Sequence, residues 1–165
     1  MSHPSRVGLG KWLAAWAAAT MLSTATQASD WWHVAEHGLA PGRVEEFVDR
    51  DSVRRNTVFN RLVMTMTVTE QPFGNRLSAL QGFYDVDCRK PRSRAVLRIG
   101  LLPDGRAAAT PDRAALPWRR NAADSFAAVP QAIACAGEYP DGAFGIDGLD
   151  PQVVTKAYFD AGRGE

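Results

Sequence analysis

The chain has 165 residues, of which 45% are hydrophobic and 22% are charged, a balance typical of a globular domain rather than a disordered or multi-span membrane protein. The formal net charge of +1 excludes an overall electrostatic attraction to nucleic acid or anionic membranes, so any basic site must be local. Two cysteines are too few for a disulfide-dense miniprotein or a four-cysteine zinc site.

The first 28 residues have the three-part pattern of a secretory signal. Arg6 and Lys11 precede an apolar run at 12–22, which ends in small residues and is too short for a stop-transfer helix. We expect cleavage after Ala25 or Ala28, with an N-terminal membrane anchor as the alternative. The expected mature protein is nearly neutral, with 17 basic and 18 acidic residues. It is expected in the periplasm, secreted or at the cell surface, without stable membrane insertion.

The cysteines, Cys88 and Cys135, are expected to pair if the chain is exported. In an oxidising compartment two thiols in a domain of this size favour a disulfide. The chain-entropy model gives such a bridge a stabilisation of roughly 4 kcal/mol. Metal binding by these two cysteines is not expected because no further ligands lie at suitable spacing.

Short strand-like runs follow the signal. Residues 31–34 and 44–48 are rich in residues that favour strands, and a polar turn is predicted at 51–56. Residues 58–68 alternate between an apolar face, which carries Met64 and Met66, and a polar face, which carries threonines. This alternation predicts a half-buried strand.

Residues 80–88 and 93–102 predict a β-hairpin with a four-residue loop at 89–92. We expect a register in which the numbers of cross-strand partners sum to 181. Apolar pairs would share one face and charged pairs the solvent face. The pairs that decide this register are Val86 with Ala95, Tyr84 with Leu97, Asp87 with Arg94, and Phe83 with Arg98.

The later part of the chain contains more breakers. A turn at 103–105 suggests a further meander strand at 106–110, and prolines place 116–118 at an edge or in a loop. A helix is predicted from Ser125 to about Cys135, with Pro130 either kinking it or lying near its start. Residues 138–165 are expected to form a mobile tail, rich in Gly, Asp and Pro, with a short helix at 151–160.

These elements predict an α+β fold. We expect an antiparallel meander sheet of about five to six strands and one C-terminal helix. The expected organisation is a signal at 1–28, a domain at 29–137 and the tail at 138–165.

Enzymatic motifs are weak in this sequence. Residues 33–37 match the H-x-x-E-H pattern of inverted zinc peptidases, but on a strand His33 and His37 would lie roughly 13 Å apart, too far to share an ion. Asp85 and Asp87 are predicted to lie on a solvated, charge-paired face rather than to form an acid–base pair. We therefore expect no enzyme, no catalytic residues, no metal site and no cofactor, and a small hydrolase using His33 or His37 is the remaining alternative.

A basic run occupies the predicted hairpin. Arg94 is assigned to Asp87, and the candidate binding residues are therefore Arg89, Lys90, Arg92 and Arg98. One interpretation is a solvated hairpin whose ion pairs contribute little. The other is a cationic tip, stiffened by Pro91, that binds acidic polymers or acidic protein segments. Nucleic acid is not expected as a partner because the chain is neutral overall and lacks interleaved aromatic residues.

The order of several short motifs resembles the surface-adhesin protein E family of small exported bacterial proteins. The resemblance covers about residues 31–137 and rests on segments 46–49, 51–55 and 84–90, on Trp118 and on the 125–135 helix. It implies an antiparallel sheet with one packed helix and a Cys88–Cys135 bridge. It also implies adhesion to host extracellular proteins.

The named adhesin of that family is lipid-anchored, whereas this chain has no lipid-attachment cysteine. We therefore expect a periplasmic or released protein. The functional expectation is an exported, non-enzymatic binding module, and the alternative is a periplasmic structural or accessory domain of unknown ligand.

Overall fold

The computed structural model describes residues 29–73, 76–108 and 115–161, and the predicted signal lies outside these ranges. This part of the chain forms seven strands and two helices. The strands are β1 (Trp31–His37), β2 (Val44–Arg55), β3 (Asn60–Phe73), β4 (Leu77–Asp87), β5 (Arg92–Leu101), β6 (Arg119–Arg120) and β7 (Phe144–Gly145), and the helices are α1 (Ala128–Ala136) and α2 (Pro151–Ala161).

The strands form one antiparallel sheet in the order β6-β5-β4-β3-β2-β1-β7. The predicted antiparallel meander is confirmed for β1 to β5, but the number of strands exceeds the expected five to six. The difference comes from the edges, where two-residue strands pair with β5 and β1. The expected meander strand at 106–110 is reduced to a single bridge between Leu101 and Ala107, and its last two residues lie outside the described ranges.

Both faces of the sheet are covered, each by one helix. Val63 and Met64 are consecutive on the central strand β3, so their side chains point to opposite faces. Val63 belongs to the cluster that includes Ile133 of α1. Met64 belongs to the cluster against which Val154 of α2 packs. The single packed helix expected from the sequence is therefore two helices, and the fold has three layers.

The expected β4–β5 register is wrong because the hairpin turns one residue earlier than predicted: the loop is 88–91, and a bulge further along the hairpin changes the register again. Phe83 pairs with Leu97, whereas Tyr84 pairs with Ala95, so Val96 is an extra residue on β5. A bulge shifts the register and bends the strand locally. The pairs between the bulge and the turn, Asp85 with Arg94 and Asp87 with Arg92, follow from the earlier position of the turn.

Helix α1 begins later than predicted. Ala127 is its N-cap residue and no side chain caps it; the Ser125 hydroxyl instead donates to the carbonyl of Ala122. Pro130 therefore lies in the first turn, where its missing N–H is not needed and it neither kinks nor breaks the helix. The helix ends at Gly137, which has a positive φ of 71°, a conformation that glycine adopts without steric cost.

The disulfide joins Cys88, at the end of β4, to Cys135 of α1, with Cα atoms 5.4 Å apart. This confirms the predicted bridge and ties the helix to the sheet. Within the described residues, no helix is long and apolar enough to cross a membrane.

The segment after residue 137 packs onto the same sheet. Strand β7 pairs with β1, and Ile146 and Phe159 are buried. The helix expected at 151–160 is present as α2, but it covers one face of the sheet rather than lying in a separate tail.

Candidate functional site

A short basic segment lies beside the β4–β5 hairpin. The backbone N–H of Asn121 donates to the carbonyl of Pro91 over 2.8 Å, which places Arg119 opposite Ser93 and Arg120 opposite Arg92. The hairpin therefore lies next to Arg119 and Arg120, which come 26 and 28 positions after the β5 residues with which they pair.

Buried amide side chains hold this arrangement. Asn121 is 4% exposed; its Oδ1 accepts from the Ser93 hydroxyl at 2.9 Å, and its Nδ2 donates to Gln131 Oε1 at 2.8 Å. Gln131 Nε2 donates to the carbonyl oxygens of Asp87 and Lys90 at 2.5 and 2.7 Å. The hairpin turn is thus attached to α1 and does not stand free as a stiff tip.

Two ion pairs hold the side chains of Arg92 and Arg94 of β5 in place. Asp85 is fully buried and accepts from Arg94 at 2.9 Å, and Asp87 accepts from Arg92 at 2.8 Å. The backbone N–H of Arg89 and the guanidinium of Arg92 hold the pKa of Asp87 below its usual value. The predicted pairing of Asp87 with Arg94 is wrong because the turn lies one residue earlier than expected, and both aspartates are buried rather than solvated.

Trp118 lies against the same two arginines. The guanidinium carbons of Arg92 and Arg94 lie 4.8 and 4.7 Å from its ring centroid. Such cation–π contacts orient the planar guanidinium groups while leaving their edges able to donate hydrogen bonds.

A cleft of about 420 Å³ opens beside this segment, and four arginines line it: Arg94, Arg98, Arg119 and Arg120. Its other lining residues among those described are aromatic, apolar or uncharged polar, and include Tyr84, Ser93 and Pro117. Arg119 and Arg120 are exposed. Arg94 is paired with Asp85, and no described acidic residue lines the cleft, so the exposed Arg119 and Arg120 make it locally positive on a protein of near-zero net charge.

The structure separates the predicted binding residues. Arg98 lies in the cleft, and Arg92 lies at its Trp118 side. Arg89 instead points to the β2–β3 turn, where its guanidinium carbon lies 4.3 Å from the Phe59 ring centroid. Lys90 is exposed on the hairpin turn.

The sequence analysis missed Arg119 and Arg120. Their only local signal is two consecutive basic residues after Pro117 and Trp118, and a two-residue strand has no periodicity to detect. Their approach to β5 depends on a buried amide network that joins distant segments, which composition and spacing do not reveal.

The H-x-x-E-H match lies on strand β1 rather than on a helix. His33 Nε2 lies 2.6 Å from Glu45 Oε2, and His37 is exposed. Among the residues that the structure describes, no group of three or more His, Cys, Asp or Glu side chains could hold a metal ion.

Comparison of the chain with protein-family models, with curated proteins and with solved structures gives no match.

Proposed function

We propose that the protein is an exported, non-enzymatic binding module that captures an acidic segment of a partner polypeptide in the arginine-lined cleft. The observation that carries the proposal is that Arg119 and Arg120 are exposed at a cleft that Arg98 also lines, without an acidic residue among its described lining. In a protein whose net charge is +1, such local convergence favours a site for anions.

Arginine chemistry favours carboxylates at this site. A guanidinium presents planar donors that match a carboxylate in a two-bond geometry. Because β6 is the last strand at its edge of the sheet, an extended peptide could also hydrogen-bond to its outer backbone groups. An extended segment with several Asp or Glu side chains would therefore use both the backbone edge and the cleft.

The disulfide supports an oxidising compartment, and the predicted signal would deliver the chain there. The resemblance to the surface-adhesin protein E family extends the proposal to adhesion, with an acidic region of an extracellular host protein as partner.

A periplasmic accessory domain is the second candidate. Both cysteines of the chain form the disulfide, so neither is available for lipid attachment to the cell surface. Cell fractionation distinguishes the two cases, because confinement to the periplasm would contradict the adhesin proposal.

Charge reversal in the cleft tests the proposed function. Arg119→Glu with Arg120→Glu should weaken binding of a short polyglutamate peptide by about tenfold or more, because two attractive contacts become repulsive. Wild-type binding should also weaken as ionic strength rises. Isothermal titration calorimetry with a polyglutamine peptide as the uncharged comparison measures both effects.

A matched control separates the cleft from net charge. Arg54→Glu with Arg55→Glu makes the same charge change at exposed positions on β2, four strands away from β6 in the sheet. This variant should bind the peptide like the wild type. Equal weakening in both double variants would contradict a site in the cleft. Weakening only by Arg89→Glu with Lys90→Glu would place binding at the hairpin turn instead.

A further inference from the structure

A second cavity lies at the opposite edge of the sheet, between β1, β2 and α2. It has a volume of about 250 Å³, just below the usual range of roughly 300–1,000 Å³ for small-molecule sites. The residues that matter for its chemistry are His33, Glu45, Phe47, Phe144, Thr155 and Tyr158. It shares no lining residue with the arginine-lined cleft, so the inference below goes beyond the proposed function.

The polar residues of this cavity are fixed but incompletely hydrogen-bonded. His33 Nε2 and Glu45 Oε2 lie 2.6 Å apart, and in the neutral tautomer that donates its Nε2–H to the carboxylate, Nδ1 presents a lone pair. Within the described part of the chain, His33 Nδ1, Glu45 Oε1 and Thr155 Oγ1 are all buried without a hydrogen-bond partner. Buried polar atoms are normally paired, so three such atoms on residues of one cavity point to a ligand.

These three atoms share an acceptor character. A carboxylate oxygen and an imidazole lone pair accept hydrogen bonds, and a threonine hydroxyl can accept as well as donate. Three acceptors match the three N–H donors of a primary ammonium group.

The charge and the walls of the cavity favour the same ligand. Its lining contains the carboxylates of Glu36 and Glu45 and no lysine or arginine. Arg43, whose guanidinium carbon lies 5.1 Å from the Tyr158 ring centroid, is paired with Glu70 at 3.1 Å. Aromatic rings attract cations and also accept an apolar tail. The ring of His33 itself is held between Phe144 and Phe47, with centroids at 4.8 and 5.3 Å.

We infer that this cavity binds a small primary amine in its ammonium form, with an aryl or short alkyl tail against the aromatic side chains. The ammonium group donates to Glu45, His33 and Thr155, and the tail lies along Phe144 and Tyr158. The cavity therefore discriminates by charge as well as by size.

Three probes of similar shape test this inference: 2-phenylethylamine, 2-phenylethanol and 3-phenylpropionate. The full-length secreted protein with its disulfide intact should bind the amine about tenfold or more tightly than the alcohol, and the carboxylate least. Binding is measured by calorimetry, and the site is located by changes in the NMR signals of the His33 ring and the Thr155 methyl group.

Two variants and one control complete the test. Glu45→Gln and Thr155→Val should each weaken amine binding while leaving the alcohol little changed. Thr69→Val removes another buried hydroxyl that lacks a described partner but lies outside this cavity, and it should bind like the wild type. Thr155→Val preserves shape, so it remains informative if Glu45→Gln does not fold. Equal binding of amine and alcohol, or no binding of any probe, would overturn the inference.

Discussion

At the scale of single residues, Glu46 combines burial with an ionisable group. It is 7% exposed on β2, and the Thr67 hydroxyl donates to its carboxylate at 2.7 Å. Burial raises the pKa of Glu46 to about 7, although the Thr67 hydrogen bond opposes this shift. The unfolded chain would lose this proton near pH 4.5, so the folded state binds more protons between these two values.

This difference predicts that stability falls as pH rises from about 4.5 to about 7. Glu46→Gln keeps an oxygen acceptor for Thr67 but cannot ionise, so it should stabilise the protein above pH 7 by up to about 3 kcal/mol. Urea unfolding across this pH range measures the effect.

Burial also raises the pKa of Asp49, so the dependence of wild-type stability on pH has more than one source. The difference between the wild type and Glu46→Gln isolates the contribution of Glu46. Thr67→Val removes the opposing hydrogen bond and should extend the loss of stability to higher pH. Parallel pH profiles for the wild type and Glu46→Gln would contradict this assignment.

Single residues also show what sequence could not reveal. The alternation along β4 identified Asp85 as pointing away from the Tyr84 face, but Arg94, with Trp118 against it, lies over Asp85 on that other face. Asp85 is therefore buried with Arg94 as its partner. A half-solvated sheet and a sheet covered on both faces can share the same alternation, because amphipathic residues such as arginine bury their stems in either case.

At the scale of elements, one glutamine from each helix donates hydrogen bonds to groups of the sheet and its turns. Gln131 of α1 donates to Asp87 and Lys90 carbonyls. Gln152 of α2 donates to the Ser78 hydroxyl and the Leu102 carbonyl at 2.7 and 3.1 Å. An amide side chain satisfies backbone groups where a strand ends and its ladder partners stop.

Gln131→Leu should destabilise the protein by about 1–3 kcal/mol, because two carbonyl groups and the Asn121 amide lose their partner. Hydrogen exchange should increase at the 88–91 turn. Urea unfolding and amide exchange by mass spectrometry measure these effects.

The control is Gln71→Leu, at an exposed position on β3, where exchange at the hairpin turn should stay unchanged. If the turn exchanges as slowly in Gln131→Leu as in the wild type, the disulfide alone holds it and the glutamine attachment is not needed.

Element boundaries were partly predictable from the sequence. The long strands have clear alternation, and Gly137 marks the end of α1. The bulge in β5 was not predictable because Val96 is apolar, like its neighbours Ala95 and Leu97, so nothing local distinguishes an extra residue from a paired one. The contact of His33 with Glu45 is diagonal across the strand pair, because His33 pairs with Phe47 and Glu45 lies two positions from Phe47 on β2.

At the scale of the whole molecule, the C-terminal segment is part of the core. Helix α2 buries Pro151, Gln152, Thr155 and Phe159 against the sheet. A chain that ends after Leu149 would expose the cluster around Phe47 and Met66. Burial of one large apolar side chain contributes about 1.5–3 kcal/mol, against a typical total stability of about 5–15 kcal/mol.

We therefore expect the chain ending at Leu149 to lose cooperative unfolding and to bind hydrophobic dyes. A chain ending at Ala161 retains all of α2 and should unfold like the full-length protein. Circular dichroism during thermal unfolding and dye fluorescence distinguish the two. A cooperative transition in the shorter chain would show that 29–149 folds without its second layer, as the sequence-based division at residue 137 assumes.

The role of the C-terminal segment was hidden by its composition. Gly, Asp and Pro are dense between 138 and 151, which favours turns, and the two residues of β7 carry no periodic pattern. The α2 pattern itself was recognisable, but nothing in it identifies the face of the sheet that it covers.

The order of these layers along the chain has a consequence for biogenesis. A ribosome, like a secretion channel, releases the N-terminus first, and all five long strands precede both helices. Until residue 161 has emerged, the nascent sheet has an apolar surface on at least one side, available to neighbouring nascent chains. The protein thus depends on α2 to cover this apolar surface of the sheet. Conditions that delay the release of α2 should therefore favour aggregation over correct folding.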